Sequence, residues 1–109
     1  MRVEWEEMAE WNRDQIGDYI FERFGYNSLE HFYEEVNQTV NMIMRHPNLG
    51  SLEPLLADLP QGYRSVVVEK LSKLVYRIED DTIYIVDFWD CRREPQALVG
   101  EVSPIVSPK

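Results

Sequence analysis

The sequence predicts an α+β domain: an N-terminal strand, then a two-helix antiparallel hairpin packed on an antiparallel sheet that ends in a C-terminal three-stranded meander. Three observations carry this. From about Glu7 to His46 apolar residues recur at helical spacing, whereas from Tyr63 to Leu98 they fall into three β-type runs divided by very short breaks. Links of one to four residues permit hairpins and are too short for a parallel crossover. A chain of 109 residues buries one core and is too small to divide into two.

Arg2-Val3-Glu4-Trp5 alternates weakly and suits an edge strand that enters the sheet. From Glu7 the period changes: Met8, Trp11, Ile16, Tyr19, Ile20 and Phe24 form a stripe, with Glu7, Glu10, Arg13, Asp14, Asp18 and Glu22 mostly outside it. Gly25 stands where a helix C-terminus favours a residue that tolerates left-handed geometry. Asn27 or Ser28 then caps a second helix, and Glu30, three residues after Asn27, completes a capping-box pattern. Leu29, Phe32, Tyr33, Val36, Val40 and Ile43 make its apolar stripe, which ends at His46-Pro47 because the residue before a proline is pushed out of the α region. Two helices joined by two or three residues form an antiparallel hairpin. Its shared stripe needs the sheet as a partner.

Asn48 to Gly62 reads as a loop, with Leu52, Leu55, Leu56 and Leu59 tucking it against the core. Tyr63 to Glu69 is the first strand of the meander. In the second, Leu71 to Ile78, alternation puts Leu71, Lys73, Val75 and Arg77 on one face and Ser72, Leu74, Tyr76 and Ile78 on the other. Glu79-Asp80-Asp81 is a turn signal, and Thr82 to Trp89 is the third strand. Glu94 to Leu98 suits one helical turn with Pro95 at its first position. The domain is expected to span residues 1–99, and residues 100–109, with two prolines and no periodicity, to form an extended or disordered tail.

Composition narrows the function. With 44% hydrophobic and 28% charged residues the chain has the balance of a folded protein. No apolar run approaches the roughly 18 to 20 residues that cross a bilayer, and Met-Arg-Val-Glu-Trp-Glu-Glu lacks the apolar core of a signal peptide. The expected location is the cytoplasm, with no membrane partner. The single cysteine, Cys91, excludes an internal disulfide and a cysteine metal cluster. A net charge of −9 argues against general phosphate attraction. Its distribution is uneven: residues 1–46 carry ten acids against four bases, whereas residues 63–93 carry six of each. The bases Arg64, Lys70, Lys73, Arg77, Arg92 and Arg93 thus gather on the sheet segment.

The order strand, two helices, loop, three strands and an arginine-rich end is similar to the RelE/ParE toxin family of bacterial type II toxin–antitoxin systems, the plasmid-stabilisation type. The resemblance covers about residues 2–98. It rests on Pro47-Asn48-Leu49-Gly50, Tyr63-Arg64, Leu74-Val75-Tyr76-Arg77-Ile78 and Cys91-Arg92-Arg93-Glu94-Pro95, in this order and at these separations. It implies a small toxin that arrests growth and is held inactive by a cognate antitoxin. One branch, resembling RelE, cuts messenger RNA on the ribosome; the other, resembling ParE, acts on DNA gyrase.

RNA cleavage through a 2′-hydroxyl needs a base, an acid and cations around the phosphorane. In the RelE-like branch these are sheet lysines and arginines and a tyrosine near the C-terminus, and Arg64, Lys73 and Arg92 match its basic positions. Val66 stands where that branch has a further lysine, and Leu98 where it has the tyrosine. An arginine, with a pKa above about 12, is also a poor base. The expectation is therefore a ParE-like toxin that inhibits a protein target such as gyrase, with Arg77, Arg93 and Trp89 as target- or phosphate-binding candidates. The alternatives are a ribosome-dependent endoribonuclease using Arg64, Lys73 and Arg92, and a degenerate non-toxic binding module.

Plainer roles compete for the same residues. Arg64, Lys73 and Arg77 suit a solvated sheet face with Glu69 and Asp87 as cross-strand partners, and Arg92 and Arg93 stand beside Asp90 and Glu94. Trp5, Trp11, Phe24, Phe32 and Tyr76 fall at core spacing. His31 and His46, fifteen residues apart, have no third ligand arranged with them in sequence, so neither a metal nor a cofactor is expected. Cys91, followed by two arginines but without a base in sequence, suits a buried or incidental thiol. Antitoxin binding is expected on the helix hairpin and a sheet edge, where a groove accepts an amphipathic helix and an edge accepts a strand.

Overall fold

Alternating and helical stretches become elements close to where the pattern places them. A computed structural model of the chain describes residues 1–69 and 72–90. Strand β1 (Arg2–Trp5) leads into helices α1 (Glu7–Phe24) and α2 (Tyr26–Arg45). Then come a short β2 (Ser51–Leu52), a 3-10 turn (Pro54–Leu56), β3 (Arg64–Val68), β4 (Ser72–Glu79) and β5 (Thr82–Asp90). The expected helical turn at Glu94 to Leu98 and the tail lie outside the described residues.

The sheet order is β1-β5-β4-β3-β2. The β3–β4 and β4–β5 pairs are antiparallel, as the short links require. Strand β1, however, pairs in parallel with β5, Val3 opposite Ile83 and Trp5 opposite Ile85. The sheet is therefore mixed, a correction to the wholly antiparallel one expected. No tight turn joins β1 to β5, so nothing local sets its direction; the two helices lie between β1 and the rest of the sheet and serve as the crossover cover. Strand β2, two residues pairing with β3, is too short to show alternation.

In α2 the expected stripe holds. Phe32, Val36 and Ile43 are buried against Val68, Leu74, Tyr76, Ile83, Ile85 and Phe88 of the sheet, and the helix stops at His46 before Pro47. The joint to α1 is tighter than expected. Only Gly25 separates the helices, at φ +94, and its N–H donates to the Phe21 carbonyl. No side-chain cap forms on Asn27 or Ser28, because α2 already starts at Tyr26 and both residues lie within its first turn.

Helix α1 buries a different side from the one its large residues suggested. Ala9 and Gly17 are its buried residues, with Ile16 and Ile20 packed at the core edge, while Trp11 and Phe24 are 64% and 65% exposed. The inner side is chosen by close approach: a Cβ on Gly17 would lie 2.8 Å from the Tyr33 hydroxyl of α2. That hydroxyl donates to Asp14 at 2.7 Å, so the middle of one helix meets the middle of the other, as an antiparallel hairpin requires. Trp5 is half-buried under the Arg13 guanidinium, 4.6 Å from its ring centre.

The second sheet face is also covered. Leu56, Tyr63, Val75, Val86 and Trp89 form a core there, with Leu55, Leu59 and Tyr84 against it. Leu55, Leu56 and Leu59 tuck in as expected, over this face, whereas Leu52 is 61% exposed. A register shift leaves Val86 as an extra residue on β5, because Val75 pairs with Asp87 and Tyr76 with Ile85. At the bulge the fully buried Asp87 carboxylate accepts from its neighbour Phe88 N–H at 2.8 Å and from Asn12 of α1 at 2.7 Å. It is thus an anchor between helix and sheet, while Arg64, Lys73 and Arg77 take other partners.

Candidate functional site

Strand pleating decides where the candidate cations point. Arg64 is opposite Tyr76 in the register, which belongs to the helix-side core. Lys73 and Arg77 alternate with Leu74 and Tyr76 and so share the face of Val75. The sheet therefore stands between Arg64 and Lys73, and the structure does not bring these two nuclease candidates together.

Each cation has an internal task. The Arg64 guanidinium donates to the Gly50 carbonyl at 2.6 Å. Beside it the Tyr76 hydroxyl donates to the Pro47 carbonyl at 2.7 Å and accepts from Gly50 N–H at 3.0 Å. A Cβ on Gly50 would lie 2.7 Å from the Ser65 carbonyl, so only glycine fits. Burial raises the Tyr76 hydroxyl pKa, opposed by the Gly50 N–H and the Arg64 charge. The segments Pro47-Asn48-Leu49-Gly50, Tyr63-Arg64 and Leu74 to Ile78 thus form one bracket that fastens the chain leaving α2 onto β3 and β4.

On the other face Lys73 Nζ lies 2.7 Å from Glu53 Oε1. Glu53 is 2% exposed and also accepts from the Ser65 hydroxyl at 2.8 Å and the Leu55 N–H at 3.1 Å. Burial pushes this carboxyl up, but Lys73, the Leu55 N–H and Ser65 together hold it below the usual glutamate value. Arg77 bonds Glu79 at 2.5 Å, lies 3.8 Å from Glu6 and stacks 4.3 Å from the Tyr84 ring centre. The partners are therefore Glu53, Glu79 and Glu6 rather than Glu69 and Asp87; β-strand alternation puts Glu79 on the face of Arg77 but could not reveal Glu53 or Glu6. Glu53 is the residue that sequence reasoning missed, its single hint being an acid directly before Pro54 at the start of the 3-10 turn.

Trp89 is 2% exposed within the second core, a correction to its expected place at a binding surface: the loop leucines cover it. Val66 is packed, half-buried, against the helix-side core. Arg92, Arg93, Cys91, Leu98 and Lys70 lie outside the described residues.

An open apolar concavity lies away from these cations. A groove of about 420 Å³ runs between the tip of the helix hairpin and the ends of β3 and β5. Ile16, Tyr19, Ile20, Phe24 and Phe32 make it apolar, and Glu69 and Asp90 are the acids in its lining. Phe21 and Tyr26, 50% and 63% exposed, extend the apolar surface at the hairpin tip. Large aromatics left in water around a concavity are the usual mark of a partner surface. Among the described residues no helix is long and apolar enough to cross a membrane.

A family model described as ParE toxin of type II toxin–antitoxin system, parDE, matches residues 3–95. Among solved structures, the chain is similar to one from the chromosomal ParDE TA system of P. aeruginosa, with a TM-score of 0.67 and 19% sequence identity over 83% of this chain and 95% of that one. No curated protein matches the sequence.

Proposed function

The chain belongs to the ParE toxin family of type II toxin–antitoxin systems, and from that premise we propose that it arrests growth by binding a protein target, DNA gyrase, in the cytoplasm rather than by cutting RNA. The observation that carries this reading is the position of the cations. A ribonuclease needs its phosphate-binding and proton-transferring groups around one phosphate. Here Arg64 and Lys73 lie on opposite faces, and each is held by an internal acceptor. The net charge of −9 adds a general repulsion of RNA.

A cognate antitoxin neutralises the toxin by laying the apolar face of a helix into the groove beside Phe24 and Tyr19, with basic residues toward Glu69 and Asp90. An apolar lining that also holds two acids favours that pattern. Arg93, which follows β5 in the chain, is the contact assigned to the target.

Gyrase supercoiling assays test the reading. Inhibition by the purified toxin, relieved by its antitoxin and weakened by Arg93→Ala, is the expected result. No change in supercoiling or cleavage complexes at any concentration, together with position-specific cuts in translating messages, would sink it in favour of the ribonuclease.

A further inference from the structure

We propose that His31, Glu35 and Glu69 bind one divalent transition-metal ion of the zinc class where the groove opens between α2 and the end of β3. His31 and Glu35 are one helical turn apart on α2, so their side chains rise from the same face. Glu69 directly follows β3, in the left-handed region at φ 61. His31 Nε2 lies 3.9 Å from Glu35 Oε2 and 3.5 Å from Glu69 Oε2. One ligand atom from each of the three lies within 4.8 Å of the others.

These separations fit coordination. A tetrahedral zinc ion with bonds of about 2.0–2.1 Å holds its ligand atoms about 3.4 Å apart, so rotation of the half-exposed carboxylates closes the remaining gap. Two carboxylates converge on one imidazole, and among the described residues no lysine or arginine forms an ion pair with either acid. A divalent cation is the charge that completes such a set. The imidazole selects the class, since magnesium and calcium prefer oxygen-only sites whereas zinc, nickel and cobalt accept nitrogen. The His31 side chain is 64% exposed, which leaves the ion a route in and room for water as a fourth ligand.

The ion would join α2 to the end of β3. Both His31 and Glu69 line the groove, so a bound ion fixes the width of its mouth. The proposal rests on this geometry and does not depend on the gyrase reading.

Zinc chloride titrated calorimetrically into the purified full chain tests it. The expected result is one equivalent bound, with affinity reduced at least about tenfold, or about 1.4 kcal/mol, by His31→Ala and by Glu69→Gln. Variants His46→Ala and Cys91→Ser, which change the other nitrogen and sulfur ligands, are expected to bind as the parent does. Zinc should raise the melting temperature of the parent and leave that of His31→Ala unchanged. Circular dichroism establishes that each variant is folded, and His31→Gln replaces His31→Ala if the latter is not. No binding up to millimolar zinc overturns the proposal, as does binding that survives both His31 variants or disappears with Cys91→Ser or His46→Ala. Displacement of the bound zinc by equimolar magnesium overturns the assigned metal class.

Discussion

Replacing Lys73 with alanine should destabilise the chain by about 3 kcal/mol, and the reason is Glu53. Its carboxylate is 2% exposed and accepts from Lys73, Ser65 and Leu55 at 2.7, 2.8 and 3.1 Å. Without the ammonium, a buried anion keeps only two neutral donors. Removing one partner of a buried pair costs about 3–5 kcal/mol. The Lys73 side chain is 18% exposed, so water reaches part of the gap and the lower end applies. Set against a total of about 5–15 kcal/mol for a small domain, this is a large loss. Adding Glu53→Gln to Lys73→Met should recover most of it, because the neutral amide oxygen still accepts from Ser65 and Leu55.

Urea denaturation at neutral pH, repeated down to acid pH, measures this. The Glu53 carboxyl is held below its ordinary value in the folded chain. The stability it contributes is therefore complete above the unfolded value of about 4.3 and is lost as pH falls through the lower folded value. In the Lys73→Ala chain burial raises the same carboxyl, so acidification should narrow the gap between variant and parent. A loss below about 1 kcal/mol at neutral pH, or a gap that ignores pH, would mean that Glu53 is served by water and the argument is wrong; the scale is that of an exposed pair. A variant as stable as the parent yet no longer toxic would return Lys73 to the list of functional cations.

Gly50→Ala should cost about 1–3 kcal/mol in the same denaturation assay, since its Cβ would meet the Ser65 carbonyl at 2.7 Å. Tyr76→Phe should cost about 1–3 kcal/mol by leaving the Pro47 carbonyl and Gly50 N–H without their partner; a neutral result would mean that water replaces the hydroxyl. The Tyr33 hydroxyl is pushed up to about 12 by burial and by the Asp14 carboxylate it bonds. Alkaline titration of tyrosinate absorbance should show a late step near that value, absent in Tyr33→Phe and moved toward the ordinary range in Asp14→Asn. The stability that goes with this raised value is present below about pH 10 and lost as pH rises through the folded value.

Local rules made much of the fold legible. The stripe of α2 needs only neighbours three and four residues away, and Phe32, Val36 and Ile43 are buried as it requires. His46-Pro47 stops the helix through a clash between adjacent residues. The split between Leu74, Tyr76 and Ile78 on one face and Val75 and Arg77 on the other follows from a pleat of period two, and the two cores divide along it. Helix α1 was harder because large apolar residues occur on more than one of its sides. Which side turned inward was settled by how closely Gly17 and Ala9 let α1 approach its neighbours, and that left Trp11 and Phe24 in water.

The sequence by itself determined the α+β class, the order of strands and helices, and a set of cations gathered on the sheet segment. Only the tertiary structure decided what those cations do. Arg64 is aimed at Gly50, Lys73 at Glu53 and Arg77 at Glu79. The Lys73 acceptor comes from the loop before β3, which no periodicity connects to its donor. The parallel course of β1 beside β5, the covering of Trp89 and the meeting of His31 with Glu69 have the same origin. Backbone preference and side-chain period act over a few residues, whereas partnership across a sheet or between a helix and a turn is set when the whole chain packs.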